Sequence, residues 1–98
     1  AVEPYESQAI GGGYIGRHNI PGLGAGFVPE NYNPYIVDAV MAVPSHTANV
    51  TAREVLETDA IPASPSAGAV LTAAHQLMAE HPDLKRVVCV FAGQVLYE

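Results

Sequence analysis

Apolar positions recur with helical spacing in two segments of the second half of the chain. The first runs from Ser45, a plausible N-cap, to about Glu57. Its apolar stripe comprises Ala48, Ala52, Val55 and Leu56. The second is opened by Pro65 and Ser66 and ends at about Glu80, before Pro82. Its stripe comprises Val70, Leu71, Ala74, Leu77 and Met78. The pattern therefore predicts two amphipathic helices.

Two continuous apolar runs predict strands at Ile36–Val43 and Arg86–Phe91. Both lack alternation, which is typical of a strand that helices cover on both faces. Ala1–Pro4 has the character of a strand end, and Ala60–Ala63 is either an extended link or a short strand. After a turn, Val95–Tyr97 closes the chain. Helices between apolar strands predict an α/β fold with right-handed crossovers, specifically a partial doubly wound sheet.

The segment from Tyr5 to Tyr35 shows neither helical nor strand periodicity. Its length of about 30 residues exceeds the roughly 12–15 at which loops become uncommon in compact domains. We therefore expect this loop to lie against something outside the chain. The predicted organisation is a single partial α/β domain over residues 1–98. Residues 1–35 are mostly loop with a short initial strand, and residues 36–98 form a strand–helix–helix–strand unit.

Charge and composition exclude several classes of protein. Four Lys and Arg against ten Asp and Glu give a net charge of −6, which argues against nucleic-acid binding. No apolar run approaches the roughly 20 residues that cross a bilayer, and the start has no signal-peptide pattern. The single cysteine, Cys89, cannot form an internal disulfide. These features predict a cytoplasmic protein without a membrane partner.

The most unusual backbone chemistry lies between Arg17 and Val43. Glycine occupies every second position at Gly22, Gly24 and Gly26, where the missing Cβ permits close approach to another group. Prolines and asparagines then favour tight turns. Two interpretations remain open, namely a wall that faces a ligand and a glycine-rich surface loop, since this spacing alone is a weak signal.

The amino-acid sequence of this stretch resembles that of the cysteine synthase family. These fold-type II pyridoxal 5'-phosphate (PLP) enzymes include O-acetylserine sulfhydrylase and cystathionine β-synthase, and carry a segment like H-x-I-Q-G-I-G-A-G-F-x-P-x-N. Val2-Glu3-Pro4 is similar to the start of the family's V-E-P-x-x-S, and Pro65–Ala69 lies where the family has I-S-S-G-A. The resemblance spans nearly the whole chain but only the last third of such an enzyme. The matching residues of the long segment are His18, Ile20, Gly22, Gly24, Ala25, Gly26, Phe27, Pro29 and Asn31.

The resemblance implies a role in binding rather than in covalent catalysis. The only lysine, Lys85, does not match the family's Schiff-base lysine, which lies upstream together with the loop that holds the cofactor phosphate. No catalytic residue is therefore expected in this chain. No metal site is expected either, because the four histidines form no ligand pair. The family's C-terminal third supplies one wall of the cleft. The implied substrate-binding residues are Gly22, Leu23, Gly24 and Ala25, and the implied cofactor-binding residues are Ser66, Ala92, Gly93 and Gln94.

The chain departs from the family at several polar positions. The glutamine of Q-G-I-G is Pro21, and the second serine of S-S-G-A is Ala67. The turn after the last strand, which offers a hydroxyl to the pyridine nitrogen in the family, is Ala92-Gly93-Gln94 and contains no hydroxyl. Gln94 is one candidate to reach that nitrogen instead.

Two functions therefore remain. The first is the C-terminal segment or subunit of a PLP-dependent β-replacement enzyme, which converts an O-activated serine and a nucleophile such as sulfide to cysteine or an analogue. Its expected partners are a small amino-acid substrate and a complementary N-terminal chain or a second copy, since the family is usually dimeric. The alternative is a catalytically inactive, degenerate relative with a role in assembly or regulation. The departures favour this alternative, whereas the intact glycine stretch favours the enzyme.

Overall fold

Two short parallel strands and two helices make up the regular structure of the protein. A computed structural model describes residues 1–92. The elements are β1 (Val2–Pro4), β2 (Met41–Val43), α1 (Ser45–Asp59) and α2 (Pro65–Glu80). The strands pair in parallel, with Val2 opposite Met41 and Pro4 opposite Val43. The predicted α/β class is confirmed.

The strands are shorter than the apolar runs that predicted them. Of Ile36–Val43, only the last three residues pair, and Ile36 is 77% exposed. Residues 86–91 and the link 60–63 form no strand, and Val88 is 92% exposed. An apolar run becomes a strand only where a neighbouring strand pairs with it, and none of the described residues forms a strand pair with residues 60–63 or 86–91. The predicted segment Val95–Tyr97 lies outside the described residues.

The predicted helices are confirmed almost to the residue, but the buried face of α2 is not the predicted one. In α1 the predicted Ala48, Ala52 and Val55 are buried. In α2 the bulky members of the predicted stripe are half-buried or exposed, while the small residues are buried. The reason is close helix packing, because a Cβ at Gly68 would collide with the carbonyl oxygen of Ala48. The buried residues of α2 are Ser66, Ala67, Gly68, Ala69, Ala73 and Ala74.

The core lies between the strand pair and the two helices. Its fully buried members come from three different parts of the chain, and Ile20 from the long loop is among them with no exposed surface. Burial of one such side chain contributes about 1.5–3 kcal/mol, which fastens the middle of the loop to the helices. The core residues are Ile20, Val43, Ala48, Ala69 and Ala73, with Val2, Leu23 and Met41 packed against them.

Residues 5–40, between β1 and β2, contain neither helix nor strand, as predicted for residues 5–35 but not for residues 36–40. Its first turn is organised by Glu3, whose buried carboxylate accepts hydrogen bonds from the backbone N–H groups of Ile10 (3.0 Å) and Gly11 (2.8 Å). Farther along, large side chains face outward, and Tyr14 and Tyr35 are 95% and 96% exposed. The loop is therefore anchored at a few points and leaves an apolar outer surface.

Candidate functional site

The glycine stretch has the left-handed backbone that its composition suggested. Gly22, Gly24 and Gly26 have φ angles of 96°, 64° and 83°. Residues with a Cβ rarely adopt such angles, so the path of the loop depends on glycine at these positions. A Cβ at Gly24 would also lie 2.5 Å from Nε2 of His18 and 2.8 Å from Cγ of Pro4. The stretch is therefore a shaped segment rather than a loose surface loop.

The imidazole of His18 connects the two sides of this segment. Nδ1 accepts a hydrogen bond from the backbone N–H of Ile20 at 3.1 Å, and Nε2 lies 3.1 Å from the carbonyl oxygen of Gly24. A carbonyl oxygen can only accept, so Nε2 carries the proton and donates it. His18 thus bridges the buried Ile20 to the glycine turn.

The N-terminus of α2 carries two buried serines. Ser64 is the N-cap, and its Oγ accepts a hydrogen bond from the backbone N–H of Ala67 at 3.2 Å. Its hydroxyl also donates to the carbonyl oxygen of Ala92 at 2.6 Å. Oγ of Ser66 lies 3.0 Å from the same carbonyl and 2.9 Å from Oγ of Ser64. The two hydroxyls and the Ala92 carbonyl form one compact polar cluster.

This cluster and the glycine stretch meet in space. A Cβ on Gly22 would lie 3.9 Å from Oγ of Ser66, so the glycine backbone passes directly beside that hydroxyl. Three of the predicted site residues, Gly22, Ser66 and Ala92, are thus together although they are far apart in sequence. Leu23 packs against the core, whereas Ala25 is exposed. Gly93 and Gln94 lie outside the described residues.

A second polar network fixes where the glycine stretch lies relative to α1. Ser45 was expected to cap this helix, but the prediction is wrong, since the N-cap is Pro44, whose side chain makes no capping hydrogen bond. Ser45 is instead the first helical residue, and its Oγ accepts from the backbone N–H of Asn19 at 2.9 Å. The side-chain amide of Asn49 donates to the carbonyl of Asn19 at 3.1 Å. Helix α1 therefore holds the residues just before the glycines.

Glu6 completes this network. Both of its carboxylate oxygens lie 3.0 Å from the backbone N–H of Ser45, and the Ser45 hydroxyl donates to Oε1 at 3.1 Å. Desolvation raises the pKa of Glu6, but the hydrogen bonds from the backbone N–H and the hydroxyl of Ser45 outweigh it and lower the pKa below 4.5. The carboxylate is therefore ionised at neutral pH and occupies the N-terminus of α1, where the helix dipole favours an anion.

The cluster can bind a ligand but cannot form a covalent bond to a carbonyl cofactor. It offers serine hydroxyls and closely approachable glycine backbone, which suit hydrogen bonding to a ring nitrogen. Lys85 is exposed, and its Nζ lies 3.5 Å from the carbonyl of Pro82. Among residues 1–92 no three His, Cys, Asp or Glu side chains are arranged to hold a metal ion. In the same part of the chain no helix is long and apolar enough to cross a bilayer.

A separate groove of about 530 Å³ runs between α1 and α2. Val55, Leu71 and Phe91 supply apolar lining, and His75 adds a polar edge. None of its lining residues belongs to the glycine stretch or to the serine cluster, so the groove is not part of the candidate site.

Sequence reasoning missed Ser64 and Glu6. A serine directly before a proline that opens a helix is a strong N-cap signal, so Ser64 could have been found from the sequence. Glu6 could not have been found in this way, because its partner Ser45 lies 39 residues later in the chain.

Comparison with known proteins identifies clear relatives by sequence. No protein-family model matches the chain. A cysteine synthase from Staphylococcus aureus is 40% identical over 90 residues, and the match covers 92% of this chain and 29% of that protein. Cysteine synthase A from Escherichia coli is 41% identical over 96 residues, which cover 92% of this chain and 30% of that protein. The chain therefore spans less than a third of the length of these relatives.

Solved structures show the same likeness in three dimensions. A cysteine synthase from Entamoeba histolytica superposes with a TM-score of 0.80 at 38% identity, covering 85% of this chain and 24% of that protein. An O-ureido-L-serine synthase gives a TM-score of 0.76 at 32% identity, with 83% and 25% covered. The two helices and the parallel strand pair therefore match the C-terminal part of such structures.

Proposed function

This chain is homologous to the C-terminal part of cysteine synthase-type, fold-type II PLP enzymes, and we propose that it supplies one wall of the active-site cleft in such an enzyme. The proposed reaction is β-replacement, in which an O-activated serine exchanges its leaving group for a nucleophile such as sulfide. The observation that carries the proposal is the meeting of Gly22, Ser66 and Ala92. It places a shaped glycine backbone beside a hydroxyl donor.

Ser66 is the residue that we propose for the pyridine nitrogen of the cofactor. Ala92 has no side-chain hydroxyl, but its carbonyl lies 3.0 Å from Oγ of Ser66. Ser64 already donates to that carbonyl at the shorter distance of 2.6 Å. Rotation of the Ser66 hydroxyl toward a ligand therefore leaves the Ala92 carbonyl satisfied, so the cost of turning is small.

The bound cofactor would supply an electron sink for chemistry at the substrate's α-carbon. This chain's residues would hold the ring and bound the substrate side. Ser66 would donate to the ring nitrogen, and the adjacent backbone of Gly22–Ala25, where Gly22 and Ala25 are exposed, would face the substrate. The covalent lysine and the phosphate-binding loop would come from an upstream segment or a complementary chain.

The surface of the chain supports such a partner. Tyr14, Tyr35 and Val88 are each more than 90% exposed, and they belong to segments without secondary structure. Exposed apolar surface of this kind marks contact with other protein. We therefore propose that a complementary N-terminal portion, or a second copy, covers these residues. A cytoplasmic location stays a prediction from the single cysteine.

Complementation tests this function. The chain would be co-expressed with Escherichia coli cysteine synthase A truncated before its matching C-terminal part, and the assembly assayed for cysteine formation from an O-activated serine and sulfide. We expect cofactor absorbance and turnover that neither part shows alone. Ser66→Ala should lower activity about 10-fold or more, as loss of a hydrogen bond to a charged or polarised group does. Thr58→Ala, which removes an exposed hydroxyl that bonds only to other residues of α1, is the matched control. An assembly that binds PLP and yet makes no product would contradict the proposal.

The second candidate function is an inactive relative that keeps this lobe for assembly or regulation. One observation favours it: both serine hydroxyls already contact the Ala92 carbonyl, which leaves the polar cluster satisfied without a ligand. The complementation experiment separates the two functions. An inactive relative would assemble with the truncated enzyme but restore neither absorbance nor turnover.

A further inference from the structure

The two hydrogen bonds of the His18 side chain give this residue a defined role within the glycine-rich loop. We propose that His18 is a positioning residue that acts as a neutral, Nε2-protonated imidazole and fixes the Gly24 carbonyl, and with it the loop Gly22–Ala25. The effect on substrate binding rests on the proposed function, whereas the tautomer and the loop geometry do not.

The hydrogen bonds define the tautomer. The backbone N–H of Ile20 can only donate, so Nδ1, 3.1 Å away, must present its lone pair. The Gly24 carbonyl can only accept, so Nε2, 3.1 Å away, must carry the proton. In a doubly protonated ring, the Nδ1–H group would face the backbone N–H of Ile20. Two donors cannot form a hydrogen bond, so that contact would be lost.

The imidazole ring of His18 fills the space beside Gly24 in addition to forming its two hydrogen bonds. Ile20 is completely buried, so one end of the bridge is fixed to the core. At the other end, the space a Cβ of Gly24 would need is filled by the ring, with Nε2 at 2.5 Å. The φ of 64° at Gly24 is thus matched to the imidazole beside it. The ring therefore transmits the fixed position of Ile20 to the turn that faces the proposed substrate.

The first test reads the tautomer directly in this chain, labelled with 15N and assembled with the unlabelled truncated cysteine synthase. Long-range 1H–15N correlation spectra at pH 7.5 distinguish a lone-pair Nδ1 from a protonated one, and His18→Asn assigns the signal. We expect His18 to show a fixed Nε2–H tautomer, while the exposed His46, His75 and His81 average between tautomers. A His18 ring that averages like the other three, for whatever reason, overturns the proposal.

The second test separates the two hydrogen bonds. Asn places its oxygen where Nδ1 of His stands, and Gln places its amide nitrogen where Nε2 stands. We expect the Gly24 carbonyl 13C shift to be retained in His18→Gln and lost in His18→Asn. In the complemented assembly, KM should rise about 3- to 10-fold in His18→Asn with kcat little changed, which is the range for one hydrogen bond.

The controls keep this inference apart from the proposed function. His46→Asn, an exposed histidine at the start of α1, should change neither the Gly24 shift nor KM. Equal Gly24 shifts in the wild-type chain and both His18 variants would overturn the positioning role. An assembly without any β-replacement activity would instead remove the proposed function, while the tautomer and the carbonyl shift still decide the role of His18.

Discussion

The carboxylate of Glu6 caps a helix that begins 39 residues later, at Ser45. Both carboxylate oxygens lie 3.0 Å from the first helical N–H, and the Ser45 hydroxyl adds a third contact at 3.1 Å. The turn after β1 and the helix after β2 are thereby joined by an anion at the positive end of the helix dipole. Oγ of Ser45 also accepts a hydrogen bond from the backbone N–H of Asn19. The contact with Glu6 therefore helps to fix the start of the glycine stretch.

Glu6→Gln should therefore destabilise the protein at neutral pH by about 1 kcal/mol, as loss of a helix cap does. The pKa of Glu6 is lowered in the folded state, so its contribution is present above the ordinary value of 4.5 and is lost as pH falls through the folded pKa. Thermal melting between pH 7 and pH 3 should show the wild type converging toward the variant as pH falls. The exposed Glu30→Gln serves as control. A constant difference at all pH values would contradict the assignment.

Gly68→Ala tests the close packing of α2 on α1. Alanine is the better helix former by about 1 kcal/mol, so propensity alone predicts stabilisation. The added Cβ would instead meet the carbonyl oxygen of Ala48, and we expect destabilisation of about 3 kcal/mol because a backbone atom cannot yield. Ala79→Gly, on the exposed face near the end of the same helix, measures propensity without the collision. A higher melting temperature for Gly68→Ala would disprove the packing.

Ala60→Gly should stabilise the protein. Ala60 ends α1 with a φ of 55°, and its N–H donates to the carbonyl of Leu56 at 3.1 Å. The left-handed conformation costs a Cβ-bearing residue roughly 1 kcal/mol, which glycine avoids. Chemical denaturation should therefore give a higher midpoint for this variant. The same exchange at exposed Ala39, where φ is not positive, should lower it.

Lys85 should not act as the covalent cofactor lysine. Its side chain is exposed, and the one hydrogen bond that it makes to residues 1–92 is to the carbonyl of Pro82. Borohydride reduction in the presence of PLP, followed by peptide mapping, should give no stoichiometric adduct on this chain. A complete cysteine synthase treated in parallel is the positive control. A stoichiometric phosphopyridoxyl group on Lys85 would refute the prediction.

The purified chain should associate with itself or require a partner. Segments without secondary structure expose Tyr14, Tyr35 and Val88, and the parallel strand pair has only two strands in the described part of the chain. Sedimentation at micromolar concentration should detect species larger than a monomer, together with binding of an apolar dye. A well-folded monomer with a cooperative thermal transition and no dye binding would contradict both this prediction and the proposed partner.

The sequence alone determined those features that depend on neighbouring residues. Both helices followed from spacing and from prolines near their ends, and the α/β class followed from the order of elements. The glycine spacing indicated special backbone, which the φ angles at Gly22, Gly24 and Gly26 confirm. The resemblance of the same stretch to cysteine synthases agrees with the likeness of the chain to cysteine synthases in sequence and in structure.

Only the tertiary structure decided the features that depend on distant residues. The sequence of the apolar run Ile36–Val43 does not show that only Met41–Val43 forms a strand, because a strand is defined by the backbone that pairs with it. The buried face of α2 is set by the close approach of the Ala48 carbonyl to Gly68. The size of the apolar side chains alone predicts that a different face of the helix is buried. The cap by Glu6 and the meeting of Gly22 with Ser66 join residues separated by about 40 positions, and periodicity within a helix or strand carries no information about such contacts.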